Sequence, residues 1–249
     1  MKLSIIIPAL NEQHYIGKLL ECLTDQDFRN FEVIVSDSNS DDNTIAVAER
    51  FLKKLNLKIV QSAKRGVSLA RNRGALEARS KWLLFLDADT QIPGNFLTNI
   101  LAETEKKNHT IASVKFRANS PKLIDKFGSK ISFLAMKALE KSNHPNVSGF
   151  CILIRRELHQ KIGGFNTKLN LGEDVDYAAR AIRTGAKFGF LHSTYLLISV
   201  RRYESEGRIK TFLKTLYFES YRRLNRFEIN DGVIAYEFGK HEKDVNRKS

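Results

Sequence analysis

Two carboxylates one residue apart, Asp87 and Asp89, close the apolar run "KWLLFLDAD" at residues 81–89. Charge delivered at the end of a hydrophobic segment sits at the border of a core, where it needs donors or a cation. A hard divalent ion such as Mg²⁺ or Mn²⁺ takes one or two carboxylates and completes its shell with substrate phosphates, so the pair reads as a metal–diphosphate clamp. Gln91 could add an amide oxygen. Aspartates at such places also form turns and cap helices, so the pair alone leaves both readings open.

Other acidic and basic groups stand at comparable places. "SIIIPALNE" ends in Asn11 and Glu12, and "VIVSDSNSDDNT" carries Asp37. Acidic strand ends converging on one edge would repel one another unless they serve hydrogen bonding or a cation. In "LGEDVDYAARAIRTG" (171–185), Glu173 and Asp174 occupy a first helical turn. The macrodipole favours negative charge there and would keep Asp174 ionised. Asp176 and Arg180, at i and i+4, read equally as a surface pair. In "ISVRRYESEGR" (198–208), Arg201 and Arg202 could reach a departing diphosphate or form a solvated pair. His192 follows a strand and is a candidate extra metal ligand, although a lone histidine is as well a structural one.

These residues must be positioned by the elements between them. "LSIIIPA" (3–9), "FEVIVSD" (31–37), "LKIVQS" (57–62) and "KWLLFLDAD" (81–89) are continuous apolar strand candidates. Helical periodicity separates them: Ile16, Leu19, Leu20 and Leu23; then Ala48, Phe51, Leu52 and Leu55; then residues 67–79. Such alternation predicts a parallel sheet covered on both faces, with ligands outside the carboxyl ends of the strands. Pro93 predicts a first-turn proline opening "NFLTNILAETEKK". Beyond residue 110 the pattern predicts strands at 111–118 and 148–156, a basic helix between them, a helix from Gly172 towards Gly185, short strands after it, and an amphipathic helix over 207–227. The organisation expected is a single domain over 1–227, with a nucleotide-binding half (1–110), an acceptor-side half (111–205) and the basic helix (206–227), followed by a polar tail (228–249).

The chain has 249 residues, enough to bury a large core without metal or disulfide staples. Its two cysteines, Cys22 and Cys151, form no disulfide framework and suit a reducing compartment. No signal peptide or spanning helix is expected, so the sequons at Asn108 and Asn146 carry no weight. The net charge of +13 favours polyanions: nucleic acid, an anionic membrane or phosphorylated small molecules. Basic residues concentrate at 115–141 and 201–226.

Four blocks in order resemble the inverting, nucleotide-sugar-dependent glycosyltransferases of the GT-A fold, family two. They are "SIIIPALNE", "VIVSDSNSDDNT", "RGVSLARNRGALEARSKWLLFLDADT" and "GFCILIRRELHQKIGGFNTKLNLGEDVDYAARAIRTG", spread from residue 4 to 185. The resemblance implies a GT-A, Rossmann-like α/β fold with a mostly parallel central sheet flanked by helices, and a UDP- or GDP-sugar donor. It implies that Pro8, Ala9, Asn11, Glu12, Asp37 and Ser38 hold base and ribose, with Gly66 and Arg71 supporting the nucleotide site. Asp87, Ala88 and Asp89 would contact ribose, diphosphate and a divalent metal. Gly149, Phe150 and Glu173 would line the acceptor or diphosphate side, and Asp174 would be the general base. Many relatives carry an aspartate where this chain has Ser38, and a glycine at Asn39, which leaves the base of the donor open.

The acceptor is a saccharide hydroxyl or a lipid-linked group; a polyprenyl phosphate would need no base, so the role of Asp174 depends on it. A stripe of Phe212, Leu213, Leu216, Tyr217, Tyr221, Leu224 and Phe227 among basic residues is expected by default to pack on its own domain; any part that faces out could rest on an anionic membrane, placing the protein in the cytoplasm or peripherally on the inner membrane face. A sugar-phosphate nucleotidyltransferase is the rival enzyme, but "PALNEQHYIG" lacks a Gly- and Lys-rich phosphate loop. A nucleic-acid-binding module would explain the charge, yet acidic strand ends argue against it and no nucleic-acid partner is expected.

Overall fold

An apolar run without alternation must be covered on both faces, and β1 (Leu3–Ala9) and β2 (Phe31–Asp37) are buried at every position. With β3 (Leu57–Gln61), β4 (Trp82–Leu86), β5 (Ile111–Ala118), β6 (Cys151–Arg155) and β7 (Phe188–Ile198) they form one sheet, in the order β3-β2-β1-β4-β6-β5-β7. Only β6 among these runs against its neighbours, pairing antiparallel with both β4 and β5. The computed structural model describes residues 2–142, 145, 147–169, 171–211, 213–214, 217 and 221. The polar tail, residues 222–227 of the expected terminal helix, Phe212, Leu216 and the sequon at Asn146 lie outside them.

The helices are α1 (Ile16–Thr24), α2 (Thr44–Glu49), α3 (Val67–Glu77), α4 (Phe96–Lys107), α5 (Leu123–Ala138), α6 (Arg156–Lys161), α7 (Glu173–Arg183) and α8 (Arg201–Glu206). Alternation along β1 divides the core. Ile5 and Ile7 join Leu19, Leu20, Leu84, Phe96 and Ile100 on one face. Ile6 joins Ala75, Leu83, Phe85, Phe165 and Tyr177 on the other. Each such fully buried Leu or Ile side chain contributes roughly 1.5–3 kcal/mol. A Cβ on Gly74 would stand 2.4 Å from Cγ2 of Ile6, so α3 lies directly on β1 only because that residue has no side chain.

The first six expected strands form where anticipated, to within a few residues at their ends. Other details differ. Pro93 precedes α4 by three residues; its carbonyl accepts Phe96 N at 3.0 Å and Gln26 Nε2 at 2.8 Å, so it shapes an entry turn instead of the first helical turn. The second expected helix shortens to α2, and Leu52 is left exposed while Phe51 and Leu55 are buried. The short strands after Gly185 are one strand of 11 residues, β7. Asn108, one of the sequon residues, ends α4 in the left-handed conformation at φ 55°, which asparagine tolerates.

Candidate active site

In an open parallel sheet the crevice lies where the strand order reverses, here between β1 and β4 at their carboxyl ends. The β1–β4 register stops at Ile6 and Phe85. Pro8 lies two residues further on, where β1 has no β4 neighbour and a missing N–H costs no bond on that side. Past the strand ends stand Glu12 from β1, Asp37 closing β2, and Asp87 and Asp89 following β4.

The loops after β1 and β2 hold each other. Glu12 N donates to Thr44 Oγ1 at 2.7 Å, Gln13 N to Asp42 Oδ2 at 3.1 Å and Asp41 N to Asn11 Oδ1 at 2.8 Å. Asp37 is 1 % exposed and accepts Ser40 N at 3.0 Å, while Ser38 N donates to Ala9 O at 2.8 Å. Asn39 has φ 63°, a left-handed position where glycine costs least and asparagine next. The departure from glycine there is therefore compatible with the turn. Gly66, at φ 147°, starts α3 beside Ser38.

Arg71, on α3, is the centre of the arrangement. Its side chain is 2 % exposed; Nη2 donates to Asp87 Oδ1 at 3.0 Å and to Gly149 O at 3.1 Å, and Nη1 to Glu173 Oε1 at 2.9 Å. The guanidinium lies over the Phe165 ring at 5.1 Å. Burial works against its charge, but Asp87, Glu173 and Asp174 outweigh burial and hold it protonated. A Cβ on Gly149 would come within 2.8 Å of Nη2, so glycine is required for this fork to close.

Gly149 N donates to Asp174 Oδ2 at 2.7 Å, and Val175 N to Oδ1 at 2.8 Å. Asp87 N donates to Phe150 O at 3.2 Å, tying the two acidic groups through one short segment. The helix start does not hold Asp174 in the ordinary carboxylate range. Desolvation, then the neighbouring Glu173 charge, raise its carboxyl well above the usual range, and Arg71 and the two amide donors only partly offset them. A buried position in the first turn outweighs the dipole.

On the far side, Arg201 opens α8 and reaches back to the β1 loop. It donates from Nη1 and Nη2 to Glu12 at 2.8 and 2.6 Å, and its Nε lies 3.2 Å from Asp89 Oδ2. Tyr15 supports it, with the guanidinium 4.5 Å from the ring centroid. Glu12 is nonetheless pushed up to about 8 by burial, against the pull of Arg201 and with the Asp89 and Asp87 charges adding to the rise. Burial raises Asp89 too, against Arg201.

Asp87 and Asp89 offer the oxygen ligands a hard divalent cation takes, and in this structure Arg71 and Arg201 stand against them. Among the described residues no three ligating side chains could hold one unaided, so phosphate oxygens or water would complete its shell.

Two expected residues are not brought to this group. His192 lies within β7, its N–H donating to Glu103 at 2.8 Å and its ring against Phe133. It stands in the stretch between Leu191 and Leu196 where the β5–β7 register shifts, whereas Leu197, further along β7, bridges Gln91. Arg202 turns to Glu206 at 3.3 Å. Gln91 is near, but its backbone is paired with Leu197.

Three contributors were not legible in the sequence. Tyr15 has no motif around it. Asn72 clamps the backbone of Phe165 from both sides at 2.8 Å, and a Cβ on Gly164 would meet its Oδ1 at 2.6 Å. Phe165 in turn stacks on Tyr177 at 3.9 Å, and Tyr177 O–H lies 2.7 Å from His159 Nδ1. The residues "GGF" (163–165), inside the fourth of the quoted blocks, are the sequence feature that coincides with this support.

Comparison with known proteins follows this geometry. The model of glycosyl transferase family 2 matches residues 4–163. A poly(ribitol-phosphate) beta-N-acetylglucosaminyltransferase, TarS of Staphylococcus aureus, is 34% identical over 121 residues, covering 47% of this chain and 21% of its own length. A GalNAc(5)-diNAcBac-PP-undecaprenol beta-1,3-glucosyltransferase of Campylobacter jejuni is 30% identical over 152 residues, covering 60% and 47%. The crystal structure of S. aureus TarS 1–349 in complex with UDP-GlcNAc superposes with a TM-score of 0.68 at 26% identity, covering 80% of this chain and 58% of that one. The chain thus spans less than half of the two curated relatives.

Proposed function

The chain belongs to glycosyl transferase family 2, and from that membership and the site geometry we propose that it transfers a sugar from a UDP-sugar to an acceptor hydroxyl, with inversion at the anomeric carbon. The observation that carries the reading is the buried Arg71 bridge. One guanidinium joins Asp87, on the donor side, to Glu173 beside Asp174, on the acceptor side.

Asp37, with the Ala9–Glu12 segment, forms the floor for base and ribose. Asp89, with Asp87 alongside, would hold a divalent cation, which neutralises charge growing on the leaving diphosphate. Asp174 takes the proton of the acceptor hydroxyl as its oxygen bonds to the anomeric carbon. The carbon–phosphate-oxygen bond breaks on the opposite face, so a single displacement inverts the centre. A raised carboxyl is a better base than an ordinary one, provided the pH keeps it ionised. UDP is favoured over GDP because the TarS complexes at 26% identity hold UDP and UDP-GlcNAc. The acceptor is a hydroxyl on a saccharide or lipid-linked glycan, as the names of the curated relatives suggest. Peripheral association with an anionic membrane belongs to the same reading.

Calorimetric titration of UDP and GDP, with and without Mn²⁺, on wild type and Asp89→Ala tests it. UDP should bind with the metal, and the variant should lose that binding by tenfold or more. If neither nucleotide binds with metal present, the donor site does not exist as described.

A further inference from the structure

A helix of 16 residues normally buries a full stripe, yet α5 buries only Phe133 and Met136. Leu123, Ile124, Phe127, Ile131 and Leu134 stand 81, 66, 66, 51 and 54 % exposed. At 100° per residue these fall within an arc of about 100°. Lys126, Lys130 and Lys137, all exposed, run along one border of that arc.

A second apolar face lies next in the chain to α8. Residues 208–211 are helical, as are 213, 214, 217 and 221. Ile209, Leu213 and Tyr217 are 77, 56 and 57 % exposed, with Lys210 exposed among them. The two helices are fastened together: Arg208 donates from Nε and Nη2 to the two oxygens of Asp125 on α5, each at 2.8 Å.

We propose that α5, with the helical residues 208–211, 213, 214 and 217 tied to it through Arg208, is a membrane-docking surface that seats the protein on an anionic bilayer. Apolar side chains bordered by lysine match a helix lying in the interface plane, where the apolar arc enters the acyl boundary and the ammonium groups reach lipid phosphates. Charge argues against a second copy as occupant. A self-complementary interface would set the same lysines of a +13 chain against each other. Placement favours an enzyme working at that surface. β5 runs parallel to the strands of the nucleotide half, so α5 leaves the sheet at the carboxyl edge that carries Asp87. The helical residues from 208 onward likewise follow α8, whose Arg201 touches Glu12 and Asp89.

The proposal rests on the peripheral association in the proposed function and names its surface; the nucleotide-sugar part is tested separately by UDP titration, so the two can fail apart. Sedimentation with vesicles of phosphatidylcholine alone, and of phosphatidylcholine with phosphatidylglycerol, reads it directly. Binding should require phosphatidylglycerol and weaken with salt. Lys126→Gln/Lys130→Gln should lower partitioning about fivefold per lysine, and Ile124→Ser/Phe127→Ser by at least about tenfold. These side chains are exposed, so both variants should keep the wild-type melting temperature and UDP affinity. Absence of vesicle binding would overturn the proposal, as would binding indifferent to both variants. A concentration-dependent dimer abolished by Ile124→Ser/Phe127→Ser would overturn it in favour of a self-association face.

Discussion

Asp174 shows how a residue can be found by motif and still be misjudged in its chemistry. Its place in the first turn of α7 argued for an ordinary ionised carboxylate. Desolvation and the adjacent Glu173 instead raise it from the usual 3.8 towards the range where enzymes operate. The sign of the consequence is fixed. A base acts only when deprotonated, so kcat/KM should climb with pH through an apparent value well above that of a free aspartate. Any stability the protonated carboxyl contributes is present at low pH and is lost as pH rises through the raised value. Asp174→Asn should lower kcat by about 10²–10⁴-fold and leave UDP affinity unchanged, measured by steady-state transfer and by titration. Activity within tenfold of wild type would mean the acceptor arrives already ionised. Asp87 and Asp89 were legible because an apolar run ends on them. Their partners Arg71 and Arg201 were named as candidates, but the pairing itself was not legible, because it depends on the burial of Arg71 and the return of Arg201 to the β1 loop.

The elements were read where the physics is local. Continuous apolar runs could only be strands covered on both faces, and β1, β2 and β4 follow them closely. Where tertiary contacts decide, periodicity failed. The expected helix through Leu55 ends early, and β7 runs 11 residues through Gly189 and several polar positions. Glycines carry information of this second kind. Gly74 permits α3 to touch β1, since a Cβ would lie 2.4 Å from Ile6 Cγ2, in a β-branched side chain fixed on a central strand. Gly128 on α5 has open space in the same position. Gly74→Ala should therefore cost about 1–3 kcal/mol through overpacking, less up to ~1 kcal/mol of gained helix propensity, and lower the melting temperature by a few degrees. Gly128→Ala carries the propensity gain alone and should raise it slightly. Thermal unfolding followed by circular dichroism separates them, and equal shifts would show that the close approach of α3 is not maintained.

Across the whole molecule, the division into a nucleotide half and an acceptor half is a division of the sequence more than of the sheet. β6 comes from the second half yet pairs with β4 along five residues, from Trp82↔Arg155 to Leu86↔Cys151, and separates β4 from β5. Two arginines add ties over long sequence distance, Arg71 to Glu173 across 102 residues and Arg201 to Glu12 across 189. The motifs mark each of these four residues, but no pattern in a single sequence announces which pairs with which. If the sheet and these ties act together, residues 1–211 should unfold as one unit. Urea denaturation should then give coincident transitions by far-UV circular dichroism and by fluorescence of Trp82, the one tryptophan, buried in β4. A nucleotide bound only to the native state should move the whole transition, by about 2.7 kcal/mol at a hundredfold excess over Kd. Were the halves separate, UDP with Mn²⁺ would shift only the Trp82 signal and leave a second circular dichroism phase in place. Coincident shifts of both probes would mean that the donor-site strands and the Asp174 helix belong to one cooperative folding unit.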